Sequence, residues 1–151
     1  MAEKTDKHDV LIRRARSGDA PRLAELSGQL GYPATPADIA RRMRKLKSAS
    51  ENALFVADSR EAGVVGWAHI SVTHLLEVGT RAELNGLVVE EGHRSLGEGA
   101  KLLEAAEDWA RKHRCPAMSV RSNVIRERAH KFYIRQGYEH YKTQKAFRKA
   151  L

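Results

Sequence analysis

An α+β fold with a mixed, mostly antiparallel sheet is what the 151-residue sequence predicts, from three observations. Apolar residues recur at helical spacing near the start, at strand spacing through the middle, and at helical spacing again after Gly97. The resulting order, β-α-α-β-β-β-α-β-α-β with room for one more strand, lacks the strict alternation of a parallel α/β sheet. No internal repeat, low-complexity tract or Gly/Ser/Pro linker divides the chain, so residues 1–151 are expected to form a single domain.

Val10, Leu11 and Ile12, flanked by Arg13, Arg14 and Arg16, read as a first strand. Ser17 to Asp19 supplies a turn and cap, and Pro21 falls in the first helical turn, where its missing N–H is harmless. Leu23, Leu26 and Leu30 share one face of that helix, which Gly31 closes. Thr35 and Asp38 have capping-box spacing and open a second helix, apolar at Ile39, Met43 and Leu46 and basic around the rest. From Asn52 the runs Leu54–Ala57 and Val64–Val72, joined through Asp58–Gly63, read as an antiparallel hairpin. A third strand of this group spans Arg81 to Val89. Leu102, Leu103, Ala106, Trp109 and Ala110 form the stripe of a helix ending near Arg114. Met118–Val120 reads as a short strand, Glu127–Gln136 as a helix stopped by Gly137, and Tyr138–Phe147 as a final strand or hairpin.

Composition narrows the function classes. Hydrophobic residues make up 42% and prolines number four, which excludes a disordered tail. Cys115 is the lone cysteine, so no internal disulfide forms. Met1 to Asp9 is charged, with no apolar signal region, and no apolar run approaches the ~20 residues that span a bilayer. A soluble cytoplasmic protein, without membrane association, is expected. The charge of +8 favours anionic partners: nucleic acid, an acidic surface or a phosphate-rich cofactor.

The most informative segment runs from Leu87 to Leu103: an apolar strand, a turn holding Arg94, Gly97 and Gly99, then a helix. Glycines permit the tight turn, and the first amides of a helix lack internal acceptors, so with the helix dipole they form an anion site. Gly92 and Gly97 have the outer spacing of a P-loop, but Glu98-Gly99 stands where Lys-Ser/Thr is required. The dinucleotide fingerprint fails too, since Leu102 occupies its third glycine position.

Arg94-x-x-Gly97-x-Gly99, after an apolar strand and before a Leu-Leu helix, resembles the acyl-CoA-binding motif of the GCN5-related N-acetyltransferases, the GNAT family. Ala129 to Tyr138, a helix bearing Phe132-Tyr133 and followed by Gly137-Tyr138, resembles that family's later motif, and the opening helix ending Leu30-Gly31-Tyr32 also fits. The resemblance implies the GNAT fold, with a splayed pair of strands in the central sheet, and acetyl transfer from acetyl-CoA to an amine without a metal. It implies that Leu87, Val88 and Val89 pair with the pantetheine arm, and that amides from Arg94 through Ser95, Leu96, Gly97 and Gly99 to Ala100 hold the pyrophosphate. An N–H near Val88 would polarise the thioester carbonyl. Tyr133 is then the acid that protonates the departing thiolate, its reference pKa near 10 lying close to a thiol's near 8.5.

For the base, the resemblance points to Glu83. With regular alternation Glu83 and Asn85 share a strand face with Leu87 and Val89, and Glu83 lies roughly 13 Å from Leu87, so a water relay is needed. An electrostatic partner for a cationic substrate is the alternative role. Two departures from the family pattern stand out. Glu98 sits between the glycines where an apolar residue is common, and Arg126 replaces a frequent asparagine, leaving Asn123 to meet the pantetheine arm and Arg126 or Arg128 a CoA phosphate.

Seven histidines include no HExxH or Cys/His cluster; His69 and His130 read as packing or surface residues, and His74 is a weak candidate base. Trp67 and Trp109 read as core. The leading function is a single-domain N-acetyltransferase acting by direct attack in a ternary complex, since Cys115 is not placed for a covalent route. Alternatives are a small nucleic-acid-binding protein using the basic run 41–47 and the tail from Lys142 to Lys149, or a fold member that binds acyl-CoA without catalysis. Nucleic acid is disfavoured because aromatics make up 6% and none interleaves with the 41–47 run. Homodimers are common in the family. Polycationic acceptors require a local acidic pocket, for which Glu83, Glu77, Glu90 and Glu91 are the available carboxylates.

Overall fold

A computed structural model describes residues 9–94 and 97–151, in two units that divide after Arg121. The first unit holds strands β1 (Val10–Arg14), β2 (Asn52–Ser59), β3 (Gly63–Leu75), β4 (Gly79–Val89) and β5 (Met118–Val120), in that spatial order. The first three pairings are antiparallel and β4 with β5 is parallel. Helices α1 (Ala20–Gln29) and α2 (Pro36–Ser48) pack on one face of the sheet, and α3 (Glu98–Lys112) on the other.

The sequence signals act locally as read. Asp38 N–H donates to Thr35 Oγ1 at 3.1 Å while Thr35 N–H donates to the Asp38 carboxylate at 3.3 Å, so the capping box starts α2. Leu23 and Leu26 of α1 meet Val56, Val64 and Val88 of the sheet, with Ile39, Met43 and Trp67 packed against them. On the opposite face Leu102, Leu103 and Ala106 of α3 are wholly buried, and each such leucine contributes about 1.5–3 kcal/mol by leaving water.

Two irregularities in the strand pairing shape the sheet. Register slips between Ala57 and Asp58 of β2, and again between His69 and Ile70 of β3, where Leu84 and Gly86 pair and Asn85 is passed over. The second is a β-bulge at Asn85. The parallel pairing of β4 with β5 ends after three residues, Ala82–Leu84, so among the described residues the remainder of β4 has no strand beside it on that edge. This is the splay that the resemblance implied.

The second unit, Ser122–Leu151, contains α4 (Glu127–Arg135), closed by Gly137 at φ +90°. The final strand expected over Tyr138–Phe147 does not form; residues 139–151 are exposed and irregular. Tyr138 and Tyr141 would fall on opposite faces of any strand, and Lys142 and Lys145 interrupt the apolar residues, so the segment has no face to bury.

Candidate active site

Backbone direction along β4 can be read from one hydrogen bond. Glu90 N–H donates to Val65 O at 2.7 Å, so by antiparallel alternation Val88 and Gly86 also turn their peptide groups toward β3. A Cβ on Gly66 would stand 2.8 Å from Val88 O, which places that carbonyl on the β3 side. The amides of Leu87 and Val89 therefore point to the opposite edge, where β5 has already ended. The Val88 amide belongs to the ladder with β3, so the amides near it that face the other edge are those of Leu87 and Val89. Val89 O is met there by Arg94 Nε at 3.2 Å.

The bulge also corrects the face expected for Glu83. Glu83 pairs with Ser71, Gly86 with His69 and Val88 with Trp67 on one face, whereas Leu87 pairs with Ala68 and Val89 with Gly66 on the other. Passing over Asn85 inverts the alternation, so Glu83 does not share the face of Leu87 and Val89.

Gly97 caps α3 in the left-handed region at φ +92°. Lys101 N–H is the first amide of the helix to reach back, donating to Gly97 O at 3.1 Å. The amides of Glu98, Gly99 and Ala100 have no intrahelical acceptor and carry the positive end of the dipole. Ser95 and Leu96 lie outside the described residues. The Glu98 side chain is 1% exposed and points into the protein, with no hydrogen-bond partner among the described residues on either carboxylate oxygen.

A cavity of about 450 Å³ opens between α1, α2 and the sheet face bearing Trp67 and His69, with Asn85 of the bulge in its wall. Gly86 is required here: a Cβ would stand 2.6 Å from the Trp67 ring. Asn85 Nδ2 donates to Ser71 Oγ at 2.8 Å, which leaves its carbonyl oxygen as an acceptor. His69 Nε2 is 2.9 Å from Asn52 Oδ1. An amide oxygen only accepts, so Nε2 carries the proton and Nδ1 the lone pair. Burial holds the His69 pKa below the ordinary histidine value, keeping the ring neutral. The sequence signal that could have found His69 is its place in a strand whose neighbours alternate in burial, which does not by itself distinguish a cavity wall from core.

The other expected residues have partners of their own. Ser119 Oγ donates to the Glu83 carboxylate, and Arg121 Nε is 3.2 Å from it, so Glu83 ties β4 to the end of β5. None of Glu77, Glu83, Glu90 or Glu91 lines the cavity; Glu90 pairs with Arg22 at 2.7 Å. His74 is exposed at the far end of the β3–β4 hairpin, held by Thr80 and Glu51. In the second unit, Tyr133 packs edge-on with Phe132 and Tyr138, and burial pushes its pKa up to about 12 against the lowering charge of Arg126. Asn123 Oδ1 caps Ile125 N–H at 3.1 Å, and His130 Nε2 lies 2.8 Å from Asn123 O. Among the described residues no cluster of three His, Cys, Asp or Glu side chains could hold a metal ion. No helix among them is long and apolar enough to cross a membrane.

Comparison with known proteins agrees with this geometry. The family model for the acetyltransferase (GNAT) family matches residues 21–138. An aminoglycoside N(6')-acetyltransferase type 1 of Stenotrophomonas maltophilia is 28% identical over 144 residues, 93% of each chain. An aminoalkylphosphonate N-acetyltransferase of Salmonella typhimurium is 33% identical over 90 residues, 58% of each. Among solved structures, an aminoglycoside N-acetyltransferase in complex with CoA has the same fold, with a TM-score of 0.84 at 20% identity over 95% of this chain and 96% of that one. Sheet, splay, glycine turn and family match agree, and the chain belongs to the GNAT family of acetyltransferases.

Proposed function

We propose that this protein, acting as a single domain, transfers the acetyl group of acetyl-CoA to a primary amine held in the cavity, by direct attack and without a covalent enzyme intermediate. The observation that carries the reading is the free edge of β4, with the unpaired amides of α3 beginning just beyond it. Leu87 and Val89 offer peptide groups to an extended pantetheine arm, in the manner of an added strand. The amides of Gly97 to Ala100, with Arg94, fit a diphosphate, and Ser95, Leu96 and Asn123 belong to the same proposed binding set. Glu98, turned inward, leaves that surface free of its charge.

In the reaction the amine lone pair forms the new C–N bond as the C–S bond breaks and its electron pair leaves on sulfur. The Leu87 amide then donates to the carbonyl oxygen as negative charge develops there. One amine proton passes to His69 Nδ1. Glu83, already shared between Ser119 and Arg121, is assigned to holding the edge of the site and biasing its charge rather than to proton abstraction. Solvent takes the proton from His69 and gives one to the sulfur, which leaves hydrogen-bonded to Tyr133. With its pKa near 12, donation to a free thiolate of ordinary pKa near 8.5 is uphill by about 5 kcal/mol, so Tyr133 acts chiefly by hydrogen-bonding the sulfur as charge gathers on it. The Cys115 thiol is pushed up by burial and by Glu51, the reverse of an activated nucleophile. The two relatives are named for amine acetylation, which supports an amine acceptor here.

Acetyl-CoA at about 100 times its Kd is expected to add about 2.7 kcal/mol, raising Tm by roughly 5–10 °C. Gly97→Asp or Arg94→Ala removes that rise, and Tyr133→Phe keeps it while slowing turnover. Calorimetry showing no heat from any CoA species would overturn the reading.

A further inference from the structure

The walls of the cavity are apolar over most of their area, from Leu30 of α1, Ile39, Met43 and Leu46 of α2, and Trp67 of the sheet. Among the described residues that line it, Arg42 is the one formally charged side chain, and no carboxylate faces in. Its neighbour Arg41 is satisfied by Asp38 at 2.8 Å; Arg42 has no ion-pair partner among the described residues. Arg42 stands on α2, whereas His69 and Asn85 stand on the sheet across the cavity. An acceptor must bring its nitrogen to the sheet side, next to the free edge of β4. Its other end then lies toward α2.

We infer that the acceptor is an amine with an apolar body and, at the end remote from the nitrogen, a carboxylate or comparable oxyanion that pairs with Arg42. This rests on the acetyl-transfer reading and adds the substrate class to it. An exposed arginine beside an apolar lining favours an anion, because planar oxyanions accept two parallel N–H bonds from a guanidinium. A polycationic amine would place a second ammonium against an arginine with no carboxylate among the described lining residues to offset it. The neutral His69 ring and the Asn85 carbonyl accept hydrogen bonds from a single amine and do not call for a second positive charge.

A matched pair of probes tests this: 4-(aminomethyl)benzoate and 4-methylbenzylamine share the ring and the amine and differ in the carboxylate, with spermidine as the polycation. The benzoate is expected to exceed the neutral amine in kcat/KM by about 2- to 5-fold, the range for an ion pair at an exposed arginine. Arg42→Gln should bring that ratio close to one, and Arg42→Lys should retain part of it. Arg42 is exposed, so both variants are expected to fold, with an unchanged Tm as the check. The same pair titrated calorimetrically in the presence of CoA gives the ratio of affinities without turnover. A ratio near one in the unaltered protein, a ratio that survives Arg42→Gln, or preference for spermidine overturns the inference while leaving acetyl transfer intact. Absence of acetyl-CoA binding overturns the transfer reading instead, and the affinity ratio still decides the anion site.

Discussion

His69 is the residue to which the proposed reaction assigns removal of the amine proton. Its ring is fixed by Asn52, its pKa is held down by burial, and it lines the wall opposite α2. A neutral imidazole accepts a proton at neutral pH, and loses that capacity only when acidified below its depressed pKa. We therefore expect kcat/KM to rise with pH as the amine loses its ammonium proton and to fall more steeply on acidification below the usual histidine range. His69→Gln should lower kcat/KM about 100-fold at neutral pH, in the range of general-base contributions, and remove the steeper acid limb. A His69→Gln profile that keeps the limb would assign proton removal elsewhere. Trp67 shows the same dependence on context at this scale. Its ring crosses Gly86, which has no Cβ to obstruct it, so a residue that reads as core from sequence forms a cavity wall.

At the scale of elements, the start of α3 combines a well-placed cap with a costly residue. Gly97 takes a positive φ that a side chain resists, and the next residue, Glu98, buries a carboxylate with no partner among the described residues. A buried, unsatisfied polar group costs about 1–3 kcal/mol, part of which the helix dipole offsets. Glu98→Leu is expected to stabilise the protein by about 1 kcal/mol, or roughly 2–4 °C in Tm, read by thermal denaturation. An unchanged or lower Tm would show that the carboxylate has a partner in solution. Elements whose signals are local were legible in sequence: the Thr35–Asp38 box, the α3 stripe and the Gly137 stop all hold. The bulge at Asn85 was not, because it depends on how β4 meets β3. It inverts the face of Glu83 relative to Leu87 and Val89.

For the whole molecule, the depressed pKa of His69 links stability to pH. A group whose folded pKa lies below its unfolded value near 6.5 contributes stability that is present above that value and is lost as pH falls through the folded pKa. Asp19 follows the same sign at lower pH: Arg13 holds its carboxyl below the ordinary 3.8 through paired hydrogen bonds at 2.8 and 2.9 Å. Tm is therefore expected to decline first as pH drops below about 6.5 and again in the region under 4. His69→Gln should abolish the first decline and leave the second; a first decline that persists would place its origin in another histidine.

Periodicity determined the fold class from the sequence by itself, because caps, glycine turns and apolar stripes act within a few residues of one another, and two spaced motifs carried the resemblance to the family. The tertiary structure alone decided which amides of β4 are free, that Glu83 is bound to Ser119 and Arg121, and that His69, Asn85 and Arg42 surround one cavity. Those facts depend on register and on packing between segments tens of residues apart, and side-chain partners at that separation leave no periodic trace along the chain.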